Sequence, residues 1–286
     1  MRWMRQICVS FLMLSALAGV ESLQARGKKK FSSKWTFKGR IKLEENDRIA
    51  ATPGVAEYTA HNATYADGKF AVCVPASYSP KSPMPLVVSS HGAGGTGKGE
   101  VGQWKKWADQ YGFIVVCPSY ACAAGGRSTD DIKRLGREDT LMLYGILRRV
   151  FGSLKVDRKH VLHTGFSGGG RPTWYIAMAH PECFTAVCFR SANFHCPEFI
   201  GMAKLRKWRT RPVYMFWGEQ DHPIILHKGA GGEGEGPAGL KFLRTVVARR
   251  KLKHEVIPGG KHTSRADLAA KWFAEEVVAG PGKAAK

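Results

Sequence analysis

The sequence predicts an α/β fold: a mostly parallel central sheet, an antiparallel hairpin on its N-terminal side, helices on both faces and no large lid. Three observations predict it. Short apolar runs alternate with amphipathic helical patterns from residue 86 to residue 278, the signature of a parallel sheet covered on both sides. Two strand-like runs, 57–61 and 69–75, flank the turn residues Ala66, Asp67 and Gly68 and read as a hairpin ahead of that alternation. Finally, residues 161–170 read VLHTGFSGGG, a buried strand, a very tight turn and a helix start.

The elements follow in order. Met1 to Gln6 carries two arginines, residues 7–20 are nearly all apolar, and small residues run to Ala25. Residues 1–25 therefore read as a secretory signal peptide, and the protein as secreted or periplasmic. Residues 26–56 are basic, then mixed polar, and read as an N-terminal extension; 57–286 is the folded domain. Within it, 86–90 is a buried strand, 103–111 a helix and 113–117 the next strand. A long helix is expected over 130–151, the strand 161–166, and a helix over 171–179. Strands at 186–190 and 213–217, a helix at 240–250, a strand at 254–257 and a closing helix at 264–278 complete the pattern. The glycine-rich stretch 229–239 reads as a surface loop. Only residues 191–212 separate two of the strands where a lid would insert, which points to an open cleft suited to bulky or polymer-attached substrates.

Six cysteines follow the leader: Cys73, Cys117, Cys122, Cys183, Cys188 and Cys196. In an exported chain one or more disulfides are expected, with the pairing open; buried free thiols are the alternative for Cys73 and Cys117. No Cys-x-x-Cys or His/Cys spacing matches a zinc site. The net charge is +21, with dense basic runs at 28–30, 204–211 and 244–253. A solvated basic surface accounts for it, and contact with an anionic polymer or envelope is the sharper reading. No aromatics interleave with the charge as in a specific nucleic-acid binder.

The chemistry centres on Gly165-Phe166-Ser167-Gly168-Gly169, a G-x-S-x-G turn. It lifts a serine hydroxyl above a sheet edge at a helix N-terminus, where backbone N–H groups favour a developing oxyanion. A serine needs a histidine base held by a carboxylate, both from loops at the C-terminal ends of strands. Asp221 follows the strand at 213–217, and His262 follows the strand at 254–257 and precedes the last helix. Ser167, Asp221 and His262 are the candidate catalytic set; Glu219 is the alternative acid, and His222 and His254 compete as base. Gly168 is expected to give one oxyanion N–H. The loop His91-Gly92-Ala93-Gly94-Gly95 is expected to give the other, from Ala93 with Gly92 as alternative. His91 is expected to orient that loop. His91, Phe166 and Trp217 are weak candidates for lining the substrate, with core packing the competing reading for Phe166 and Trp217. The stretch 92–99 lacks the Walker spacing that would cradle phosphate.

On 85–95, PLVVSSHGAGG, and 156–170, VDRKHVLHTGFSGGG, the segment 57–279 resembles the α/β-hydrolase superfamily. More narrowly, it is similar to secreted esterases grouped with polyhydroxybutyrate depolymerases and feruloyl or acetylxylan esterases. The resemblance implies a serine-esterase mechanism through an acyl-enzyme, with no metal and no cofactor. The expected partner is an ester substrate linked to a polysaccharide or polyester. A serine peptidase shares the framework, and a noncatalytic polyanion-binding protein on the same scaffold is the alternative from another class.

Overall fold

A computed structural model describes residues 48–60, 68–124, 129–194, 205–228 and 232–280. The expected signal peptide, most of the extension, the hairpin turn at 61–67 and Cys196 lie outside them. The alternation of apolar runs produces eight strands: β1 Gly54–Ala60, β2 Gly68–Val74, β3 Met84–Ser90, β4 Ile114–Pro118, β5 Val156–Phe166, β6 Ala186–Arg190, β7 Val213–Gln220 and β8 Leu252–Lys261. They form one sheet in the order β1-β2-β4-β3-β5-β6-β7-β8. The β1–β2 and β2–β4 pairs are antiparallel and the rest parallel.

Successive side chains of a strand face opposite ways, and here both faces are dry. Leu86, Val88, Ile114, Val116 and Val161 enter one apolar core, while Val87, Val115, Cys117 and Leu162 enter the other. The first core is closed by helices α2 (Thr129–Ser153), α3 (Gly170–Pro172, continuing as a π-helix over Thr173–Met178) and α5 (Glu235–Val246). The second is closed by α1 (Gly97–Tyr111) and α6 (Ala266–Trp272, continuing as a π-helix over Phe273–Val278). A short helix, α4 (Pro223–Leu226), follows β7.

The structure corrects several expectations. Helix α1 starts at Gly97 rather than 103, because the Thr96 hydroxyl accepts from Gly99 N–H at 3.2 Å and caps a glycine-rich first turn. Residues 48–56 belong to the domain: Ile49 is buried, its N–H donates to Ser153 Oγ at 2.9 Å, and β1 begins at Gly54. The expected loop at 229–239 is helical from Glu235, since Gly236 and Gly239 let α5 lie against Trp217 and Met215 where a Cβ would crowd them at 3.2 and 3.0 Å. Residues 229–231 are outside the described set.

The expected disulfides are absent among the described residues. Cys73, Cys117, Cys122 and Cys188 are buried free thiols. Their places on separate buried strands and loops make them apolar filling. Burial pushes the Cys73 thiol up to about 11 and the Cys188 thiol up to about 12, which keeps both protonated and unreactive at neutral pH.

Candidate active site

Strand β5 ends at Phe166, and Ser167 follows with φ 50°, a left-handed conformation unfavourable for a residue with a side chain. The glycines two places away make the turn possible. A Cβ on Gly165 would sit 2.1 Å from Gly169 O, and one on Gly169 would sit 2.5 Å from Ser90 O. Asp221 comes directly after β7, and His262 directly after β8. The structure brings the three together: His262 Nε2 is 2.9 Å from Ser167 Oγ, and His262 Nδ1 is 2.5 Å from Asp221 Oδ1. The Phe166 ring lies 4.9 Å from the His262 ring, so Phe166 flanks the imidazole.

Asp221 is buried and saturated with donors. Ser191 Oγ donates to Oδ2 at 2.6 Å, Gly218 N–H to Oδ2 at 2.9 Å, and His222 N–H to Oδ1 at 2.7 Å. Burial works to raise this carboxyl. The bonds from His262, Ser191 and the two backbone amides outweigh it and hold the carboxyl below its ordinary value. Ser191 has φ 44° and Arg265, three residues past His262, has φ 42°. With Ser167 they are the only non-glycine residues of positive φ among the described residues, so left-handed strain is confined to this rim.

The competing candidates have other duties. Glu219 accepts from Gly259 N–H at 2.8 Å and pins the turn before His262. His222 Nδ1 accepts from Ile224 N–H at 3.2 Å and caps α4, with its ring 5.7 Å from that of His262. His254 lies within β8 with its ring 4.5 Å from Trp217. Trp217 is buried in the core and does not line the cleft. His91 is also buried and turned into the fold. Its Nε2 accepts from Tyr120 N–H at 3.0 Å, which leaves the proton on Nδ1 to donate to Gly92 O at 2.7 Å. It shapes the 91–95 loop and is withdrawn from the substrate side. That loop meets the elbow closely: a Cβ on Gly168 would be 2.8 Å from Ala93 N and 2.3 Å from Ala123 O.

Two supports were not read from the sequence. Asp139 on α2 accepts from Ala121 and Cys122 N–H at 3.1 and 2.7 Å, and so fixes the segment that crowds Gly168. Beneath the rim, Arg190 and Glu100 form an ion pair at 2.7 Å, with both side chains essentially unexposed. Arg190 also donates to Thr164 Oγ1 and Ser89 Oγ, each at 2.9 Å, and to Ser264 O at 3.2 Å and its hydroxyl. One guanidinium thus ties β3, β5, β6 and α1 to the loop that carries His262. The chain position of Arg190, at the end of an apolar run, was the available signal; its four partners are scattered and leave none. Among the described residues no group of three or more His, Cys, Asp or Glu side chains is placed to hold a metal ion.

The sheet order, the elbow after β5 and the placement of Asp221 and His262 define the fold as that of the α/β-hydrolases. Solved structures agree. The chain superposes on S-formylglutathione hydrolase from Staphylococcus aureus with TM-score 0.58 at 15% identity, over 78% of this chain and 99% of that one. It superposes on the poly(3-hydroxybutyrate) depolymerase LpqC from Bordetella parapertussis with TM-score 0.58 at 20% identity, over 81% and 95%. No family model matches. Among curated proteins the chain is similar to feruloyl esterase B of Talaromyces funiculosus, 30% identical over 41% of this chain and 35% of the relative. It is also similar to a bifunctional acetylxylan esterase/xylanase of Neocallimastix patriciarum, 33% identical over 56% and 22%. The chain spans 35% and 22% of the length of these two relatives. Among the described residues no helix is long and apolar enough to cross a membrane.

Proposed function

We propose that the protein is a serine carboxylic-ester hydrolase. The observation that carries this reading is the continuous chain Ser167 Oγ, His262 and Asp221, with contacts of 2.9 and 2.5 Å. His262 takes the Ser167 proton as the hydroxyl attacks an ester carbonyl. Asp221 accepts from Nδ1–H, fixing the tautomer and stabilising the imidazolium. The N–H groups of Gly168 and Ala93 hold the oxyanion, as the contact between their backbones supports. His262 returns the proton to the leaving alcohol. It then activates water, which cleaves the acyl-enzyme and frees Ser167. The apolar leader supports export and the short inter-strand segment 191–212 a bulky, polymer-linked ester as substrate, as does the likeness to feruloyl and acetylxylan esterases.

The test is hydrolysis of p-nitrophenyl acetate by the wild type and Ser167→Ala. The expected loss in kcat is roughly 10⁴-fold or more. Equal rates would leave a noncatalytic protein. A panel of feruloyl, acetyl-xylan and polyester substrates beside peptide amides sets the class, and faster cleavage of the amides would replace the esterase reading with a peptidase.

A further inference from the structure

Two basic runs that lie far apart in the chain become neighbours in the fold. A 3₁₀ turn, Arg206–Thr210, leads into β7, and another, Arg249–Lys251, leads into β8. These strands are parallel neighbours with Val213 opposite Leu252, so both turns lie at the same end of the sheet. Ala248 N–H donates to Arg209 O at 3.1 Å and joins them directly. Arg244, in the last turn of α5, adds to the group.

Arg206, Lys207, Arg209, Arg244, Arg249 and Arg250 are all exposed, and none has an acidic partner among the described residues. Among the described residues, the carboxylates of the surrounding elements are already engaged. Glu182 binds His180, Glu233 pairs with Lys241, Glu255 accepts from Tyr214, and Glu276 pairs with Lys253. Elsewhere exposed cations do find partners, as in Lys105–Asp109, Arg134–Glu138 and Arg265–Asp267. The face is therefore a local concentration of uncompensated charge, which raises the local density of anions and releases counterions when a polyanion docks.

We propose that this face binds an acidic polysaccharide. Its chemistry narrows the partner. Trp208, within the first turn, is fully buried and donates to Met178 O at 3.1 Å, so it offers no ring for stacking nucleic-acid bases. The exposed large hydrophobics among the described residues are Val55, Ile224 and Val256; none lies in either turn, so neither turn offers an apolar side chain to insert into a lipid surface. Exposed, spread donors suit a chain of repeated carboxylates or sulfates rather than a single enclosed anion. The site of Ser167, Asp221 and His262 lies at the C-terminal ends of the strands, whereas this face lies at the N-terminal ends of β7 and β8. A ten-residue strand such as β8 spans about 33 Å, so a bound polymer leaves the cleft open. The proposal does not depend on ester hydrolysis.

The experiment measures binding of the full chain to polygalacturonate and to heparin across a salt series. A variant with Arg206, Lys207, Arg209, Arg249 and Arg250 each changed to Ser is compared with a control in which Lys81, Lys106, Lys155, Lys159 and Lys271 are changed to Ser. Both lose the same charge. The face variant is expected to weaken at least ~10-fold with a shallower salt slope, and the control less than ~3-fold. Polygalacturonate and heparin distinguish carboxylate from sulfate recognition. Equal weakening by the two variants, or no wild-type binding to either polymer, overturns the proposal. So does tighter binding to duplex DNA or to phosphatidylserine vesicles. Cooperative denaturant unfolding of the face variant, with the m-value of wild type, reports that it is folded. If five changes prevent folding, Lys207→Ser/Arg250→Ser against Lys81→Ser/Lys155→Ser gives the same comparison.

Discussion

At the C-terminal ends of the strands, the Arg190–Glu100 pair is sealed from solvent and its guanidinium donates to four other groups. At the N-terminal ends of β7 and β8, six cations stand exposed without an acidic partner among the described residues. The first arrangement costs desolvation and gains fixed geometry, because a buried charge tolerates few positions of its partners. The second costs little and fixes nothing within the fold, because water screens each charge. Charge in this molecule positions side chains where it is buried and is available for association where it is exposed. The backbone follows the same division: among the described residues the three non-glycine residues of positive φ, Ser167, Ser191 and Arg265, belong to the first region.

Breaking the buried pair gives the largest stability effect. Arg190→Ala leaves Glu100 charged without its partner and is expected to cost about 3–5 kcal/mol, read by denaturant unfolding. Arg190→Met with Glu100→Leu should recover most of it; if the double change is no better than the single one, desolvation is not the dominant cost. Next comes Ser191→Ala, which removes one donor from Asp221 without relieving the backbone. Bonds to charged groups contribute about 1.5–3 kcal/mol, so kcat for p-nitrophenyl acetate should fall roughly 10-fold or more with KM unchanged, and Ser191→Thr should retain part of the rate. A change in KM alone would place Ser191 on the substrate rather than on Asp221. The smallest effect belongs to an exposed pair. Lys253→Ala, which loses its 2.5 Å contact to Glu276, should change unfolding stability by less than about 1 kcal/mol. A larger loss would mean that outer charges also hold the fold together.

Much of the site was legible in the chain. The elbow is local: Gly165 and Gly169 must be glycine because Gly169 O and Ser90 O occupy the space of a Cβ, and the pattern carries that steric demand. Asp221 and His262 were reached by counting strands, since each follows the C-terminal end of its own strand directly. Other features had no local mark. The stretch 229–239 reads as a loop and a helix is expected only from 103, although Gly97, Gly99 and Gly102 lie in α1 and Gly236 and Gly239 in α5, because a glycine that permits close packing is spelled the same as one that permits a turn. Disulfides were expected from an even count of cysteines, whereas burial of four of the five described thiols depends on sheet order.

The sequence by itself determined the strand–helix alternation, the strained serine turn and the order of Ser167, Asp221 and His262, because periodicity and turn sterics act over a few residues. Tertiary structure alone decided that Ser191 and Asp139 are held at the rim, that Arg190 reaches the loop after His262, and that two distant basic runs share one surface. Those outcomes are contacts between segments remote along the chain. Pairing in a parallel sheet, which no short window encodes, sets which segments meet.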